Sequence, residues 1–120
     1  MPIDWSENIA IAELADEPEL SEEFAAIWGR LNDGAAPGEV PHLVLNFSGV
    51  TYLNSSHLAQ LLRMRKRLAE LNRHLVLCSL GDDLWSVMML TGLDKLFRFA
   101  SDPLTALAGL QLEEAGEERG

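Results

Sequence analysis

The stretch "VLNFSGVTYLNSSHLAQLLRMRKRL", Val44 to Leu68, holds the transition on which the fold of this chain turns. The segment "HLVLNF" (42–47) is an apolar run of strand length, and "SGVTYLN" links it to a segment of different periodicity. There Leu58, Leu61, Leu62, Leu68 and Leu71 recur at helical spacing, with Arg63, Lys66, Arg67 and Glu70 largely on another face. A strand that passes directly into an amphipathic helix is one half of an alternating β/α architecture.

Between strand and helix lie Asn54, Ser55 and Ser56. Asn54 or Ser55 suits the N-cap, where a side-chain oxygen accepts a hydrogen bond from the free N–H groups of the first helical turn. One capping residue needs one side chain, so a second hydroxyl is left without a structural task. A phosphoserine at a helix N-terminus is tolerated by the fold, because the dipole and free amides favour an anion. Its added charge of roughly −1.5 to −2 would repel or block an acidic or tightly packed partner surface. A hydroxyl in this place can switch binding without unfolding its carrier.

Outward from this centre the chain alternates. "NIAIAEL" (8–14) has the alternation of a strand, and Asp16 to Pro18 breaks it. Leu20, Phe24, Ile27, Trp28 and Leu31 give one apolar helix face, with Ser21 as a candidate N-cap followed by Glu22 and Glu23. "NDGAAPGEVP" (32–41) ends that helix in a Gly/Pro loop. Beyond the central helix, "HLVLCSL" (74–80) reads as a buried strand and "DLWSVMMLT" as a helix capped by Asp82 and stopped by Gly92. "KLFRFA" (95–100) is a candidate edge strand, and a last helix starts with Asp102 as N-cap and Pro103 in the first helical position. The order β-α-β-α-β-α-β-α predicts a single α/β domain, a small parallel or mixed sheet packed against helices. It extends over residues 1–112, with 113–120 an acidic, flexible tail.

Composition narrows the function. At 120 residues, 48% hydrophobic and 23% charged, the chain is long enough to bury one core unaided. The net charge of −10 opposes binding to phosphate backbones, so nucleic acid is not an expected ligand. The basic cluster "RMRKR" (63–67) reads as a solvated helix face or part of a protein-docking surface. The single cysteine, Cys78, lies in an apolar run as a buried small hydrophobe. With neither a signal segment nor an apolar run of membrane length, a soluble cytoplasmic protein is expected.

Catalytic patterns are missing from the sequence. His42, His57 and His74 lack metal-ligand spacing, so no metal is expected, and neither Gly-rich phosphate loop occurs, so no nucleotide cofactor is. Ser55 and His57, two apart in one helical turn, do not face each other as a nucleophile and base would. A phospho-aspartate receiver needs clustered acids at the strand ends. Asn46 offers no carboxylate there, and Asp82 with Asp83 reads as a helix start.

The segment "LVLNFSGVTYLNSSHLAQLLRMRKRL" resembles the core of the STAS domain, shared by anti-sigma factor antagonists and the cytoplasmic ends of sulfate transporters. The family pattern is an apolar strand, an Asp-x-Ser-like turn, a Val shortly after, and an Asp-Ser-Ser-Gly-like segment opening a helix. "MLTGLDKLFRFASDPLTAL" is similar to its later segment, a Thr-Gly-Leu step, a short strand and a final helix, so the likeness extends over about Pro41 to Leu110. It implies a mixed sheet packed against helices and a protein that is a substrate, not an enzyme. In anti-sigma factor antagonists the first Ser of that motif is phosphorylated by an anti-sigma factor that is also a serine kinase. The unphosphorylated form binds that partner and frees the sigma factor, phosphorylation abolishes binding, and a phosphatase resets it. By motif position the phosphoacceptor is Ser55, and the contact surface maps onto Asn54, Ser56, His57, Arg63 and Lys66.

The chain departs from the family pattern at three points. Asn54 stands in place of Asp, His57 in place of a small Gly, and one strand rather than two is legible before the first helix. The competing reading is a non-phosphorylated STAS scaffold that docks through the same helix. A third is a sensor of nucleotides or lipids, for which the sequence has no phosphate-cradling loop.

Overall fold

A computed structural model of the chain describes residues 3–5, 8–32 and 40–118, with side chains over 8–32 and 40–113. Its elements are β1 (Ile3–Trp5), β2 (Ile9–Ala15), α1 (Glu19–Asn32), β3 (His42–Gly49), α2 (Ser55–Glu70), β4 (Leu75–Cys78), α3 (Asp82–Thr91), a 3-10 turn (Leu93–Lys95), β5 (Arg98–Ala100) and α4 (Pro103–Glu118). The five strands form one sheet in the order β1-β2-β3-β4-β5. The β2–β3, β3–β4 and β4–β5 pairs are parallel, and β1 is antiparallel to β2. The predicted mixed sheet is therefore present, with two strands before the first helix where one is legible in the sequence. The strand β1 has only three residues, and its backbone pairing with Ala10 to Ala12 leaves no alternation in the sequence.

The central strand explains the two layers. Residues His42 to Phe47 are all buried, so β3 is covered on both faces and reads as a continuous apolar run rather than an alternating one. Leu43, Leu45 and Phe47 face the larger core with Leu75 and Leu77, beneath Phe24 and Ile27 of α1, Leu61 and Met64 of α2, and Leu84 and Met88 of α3. Val44, Val76 and Cys78 face the other side, where Ala106 and Leu110 of α4 close a smaller core. Each fully buried large apolar side chain contributes about 1.5–3 kcal/mol.

Helix ends obey local chemistry with two corrections. Ser21 lies inside the first turn of α1 rather than at its cap, and the Glu17 carboxylate accepts its N–H at 2.8 Å. Asp82 is the first residue of α3, whose N-cap is Gly81 with no side-chain hydrogen bond. Gly92 ends α3 in the left-handed region at φ 77°, as its position predicts. Asp102 Oδ1 accepts the Thr105 N–H at 2.7 Å ahead of Pro103, in agreement with its expected role as N-cap. The candidate edge strand at 95–100 shortens to Arg98–Ala100 because the 3-10 turn takes the residues before it.

Helix α4 continues through Glu118, into the stretch expected to be a tail, and Glu113 Oε2 pairs with Arg98 Nη1 at 2.6 Å. Residues 119–120 of that stretch, and 33–39 of the Gly/Pro loop, lie outside the described residues. Among the described residues no helix is long and apolar enough to cross a membrane.

Candidate functional site

The β3–α2 connection is shaped first by a close approach. A Cβ on Gly49 would lie 2.8 Å from the Leu14 carbonyl oxygen, so the strand can pass β2 here only without a side chain. The register between β2 and β3 shifts at this point, and Val50 N–H turns back to the Phe47 carbonyl at 2.9 Å. The chain then runs outward to α2, leaving Tyr52 66% exposed.

Two consecutive acids from the β2–α1 turn hold the two ends of this connection. Asp16 accepts the Thr51 N–H at 2.8 Å and the Thr51 hydroxyl at 2.7 Å, and these bonds hold its carboxyl below the usual range. Glu17 Oε2 lies 2.9 Å from His57 Nε2 and also accepts the Ser21 hydroxyl. The Ser21 hydroxyl and then His57 hold the Glu17 carboxyl down at about 2.

The start of α2 is a reciprocal cap. Asn54 Oδ1 accepts the His57 N–H at 2.9 Å, and the Asn54 N–H donates to His57 Nδ1 at 3.0 Å. Histidine here takes the place that Glu or Gln fills in the usual capping box. Because Nδ1 is an acceptor, the neutral ring carries its proton on Nε2 and donates it to Glu17. His57 is 2% exposed and meets Phe24 edge-on, with centroids 6.1 Å apart. Its expected place on the partner-facing surface is therefore corrected: the ring points inward because residue 57 belongs to the buried stripe that continues through Leu61, Met64 and Leu68.

Ser55 and Ser56 are exposed. The Ser55 side chain makes no hydrogen bond within the described residues, whereas Gln60 Nε2 approaches the Ser56 carbonyl at 3.3 Å and its hydroxyl at 3.5 Å. The Asn54 side chain serves the amide of His57, so the Ser55 and Ser56 amides lack an intrahelical acceptor. Ser55, Ala59, Arg63 and Lys66 share the outward side of α2, over about 16 Å at 1.5 Å per residue.

The basic cluster does not form one solvated face. Arg63 lies over the Trp28 ring, 4.9 Å from its centroid, while Arg65 Nε donates to the Leu96 carbonyl at 2.7 Å. Arg67 Nε reaches the Leu31 carbonyl at 3.2 Å, and Lys66 is exposed. These cations fan out in several directions and tie α2 to its neighbours.

Beside the connection, at the carboxyl ends of β3 and β4, opens a cleft of about 650 Å3 bounded by Ser48, Thr51, Ser79, Asp82 and Asp83. The two exposed carboxylates oppose entry of a phosphate. Among the described residues no cluster of three or more His, Cys, Asp and Glu is placed to hold a metal ion.

The Asn54 cap is legible in the sequence, whereas the contacts of Asp16 and Glu17 and the exposure of Tyr52 are not. The two acids looked only like a strand breaker.

The profile of the STAS domain matches residues 10–106. Among solved structures, the chain is similar to an anti-sigma-factor antagonist (STAS) domain protein from Planctomyces limnophilus, with a TM-score of 0.75 and 20% identity over 91% of this chain and 96% of that one. A candidate anti-sigma factor antagonist from Thermotoga maritima gives a TM-score of 0.76 at 17% identity, covering 92% of this chain and 93% of its own. The phosphorylated form of the Bacillus cell fate determinant SpoIIAA gives 0.66 at 16% identity, covering 90% and 96%. No curated protein matches the chain. At these identities the solved structures establish the fold, and the profile, which spans most of the 120 residues, establishes the family. The chain belongs to the STAS domain family.

Proposed function

We propose that this chain is a regulatory protein-binding module of the anti-sigma factor antagonist kind, switched by phosphorylation of Ser55. Its partner is an anti-sigma factor with serine kinase activity, and a phosphatase resets it, in the cytoplasm. The chain is the substrate of that chemistry and catalyses none. The observation that carries this reading is the difference between the two adjacent hydroxyls. Ser55 is exposed and internally unbonded at the head of α2, beside free amides that favour an anion, while Gln60 Nε2 lies 3.5 Å from the Ser56 hydroxyl.

The docking surface is the outward side of α2 with Ser55, Ser56, Arg63 and Lys66, and with Tyr52 as an aromatic anchor. Asn54 and His57 serve it from below by fixing the turn. A phosphate on Ser55 would add charge at the edge of this surface without disturbing the cap, because the Asn54–His57 bonds do not involve the Ser55 hydroxyl.

Mapping phosphate on protein isolated from its own cells, together with partner capture by Ser55→Ala and Ser55→Asp, tests the reading. Phosphate on Ser55, capture by Ala and loss by Asp are expected. An unmodified Ser55 across growth and stress conditions, with equal capture by both variants, would leave the second reading. That is a non-phosphorylated STAS scaffold docking through the same helix, favoured by the absence of an acid at position 54.

A further inference from the structure

At the end of the sheet opposite Ser55, where β4 and β5 begin and α2 ends, lies a second cavity of about 190 Å3. Arg65, Arg73, His74 and Arg98 line it, beside Leu75 and Leu96. The chain has nine Lys and Arg residues against nineteen Asp and Glu, yet three of those nine meet here. The carboxylate supplied to them is Glu113, whose Oε2 lies 2.6 Å from Arg98 Nη1 and 3.7 Å from His74 Nε2. The hydrogen bond from Arg98 holds the Glu113 carboxyl below its usual range.

The remaining cations are not matched. Arg65, exposed at the edge of the cavity, uses Nε on the Leu96 carbonyl, and its two terminal amino groups make no hydrogen bond to any described residue. Arg73 has a buried Nε without an acceptor, and no ion pair joins it to any described residue. Guanidinium groups gathered beside one carboxylate repel each other, and a buried N–H of a charged group that lacks an acceptor is costly. An anion entering from solvent relieves the repulsion among the guanidinium groups.

We propose that this cavity binds the phosphate group of a small phosphorylated molecule, whose apolar part rests on Leu75 and Leu96. Guanidinium forks match phosphate oxygens in pairs, which favours this anion over a simple halide. At ~30 Å3 per water, the cavity equals about six waters. That admits a phosphate with a small substituent. The site is independent of the Ser55 reading, since it shares neither residues nor location with the outward face of α2.

Titrating the full chain with phenyl phosphate, monitored by calorimetry and by amide NMR shifts, tests the assignment. Saturable binding with the largest shifts at Arg73 to Leu75 and Leu96 to Arg98 is expected. Arg73→Gln should weaken it at least about tenfold, since a hydrogen bond to a charged group is lost. Glu113→Gln should tighten it by releasing Arg98 from its internal anion. Benzoate, which carries roughly one charge fewer, should bind at least about tenfold more weakly than phenyl phosphate. Should Arg73→Gln fail to fold, Arg65→Gln carries the same expectation. Wild-type affinity in the folded Arg variant, shifts centred on Arg63 and Lys66, or equal binding of benzoate would overturn the proposal.

Discussion

Glu17 Oε2 lies 2.9 Å from His57 Nε2, and this contact joins the turn before α1 to the first turn of α2 across 40 residues of chain. With Asp16 on Thr51 it makes a two-point clasp on the connection that presents Ser55. The position of the candidate phosphoacceptor is thus set by residues remote in sequence.

The clasp has a defined acid limit. The Glu17 carboxyl is lowered from 4.5 to about 2, so its folded-state value lies below its unfolded one. The stabilisation is fully present above pH 4.5 and is lost as pH falls toward 2. Thermal unfolding of the wild type and Glu17→Gln across pH 2 to 7 should show the variant less stable at neutral pH, with the gap closing in acid. A gap that stays constant over that range would show that the ionised carboxylate is not what holds His57.

The cap and the ring act as one unit. Asn54→Ala should cost about 1 kcal/mol as a lost cap, and His57→Ala about 2 kcal/mol, since it also empties a buried site. Each variant breaks the same reciprocal pair, so the double variant should cost less than the sum. Additive losses in urea denaturation would mean that the two hydrogen bonds contribute nothing jointly.

Gly49 is required by the Leu14 carbonyl oxygen, which an added methyl would approach to 2.8 Å. Gly49→Ala should therefore destabilise by about 1–3 kcal/mol, because backbone rather than a flexible side chain must move. Its amide shifts should also spread to Asp16 and Thr51, the neighbouring clasp. An unchanged denaturation midpoint would contradict this close approach.

Glu23 carries the opposite sign to Glu17. It is 3% exposed, its Oε2 has no partner, and burial pushes its carboxyl above the ordinary 4.5. The folded state resists ionising it, so its contribution is favourable below pH 4.5 and is lost as pH rises through the raised value. Glu23→Gln should raise the melting temperature at pH 7 and have a smaller effect near pH 4. A lower melting temperature at pH 7 would show that the buried carboxylate is a net benefit.

Much of this was legible in local pattern. Alternation marked β2, apolar runs marked β3 and β4, helical spacing marked α1 and α2, and Gly92 and Asp102 marked helix ends. These features depend on a few neighbouring residues, so backbone sterics and side-chain periodicity suffice to read them. The Asn-Ser-Ser segment likewise revealed its cap and its spare hydroxyl, because capping is decided within four residues.

The alternating order and the capped helix thus follow from local pattern, which also singles out Ser55 as a candidate. Packing between distant segments sets which way His57 faces, what Asp16 and Glu17 do, and where the arginines of α2 reach. Residue 57 falls on the stripe of Leu61, Met64 and Leu68, so packing takes a polar ring inward once Glu17 and Asn54 satisfy both nitrogens. The strand β1 also forms only when β2 offers an edge, since three residues cannot signal themselves. In each case the deciding partner is remote in the chain, and its chemistry acts only after the fold has brought it within hydrogen-bond reach.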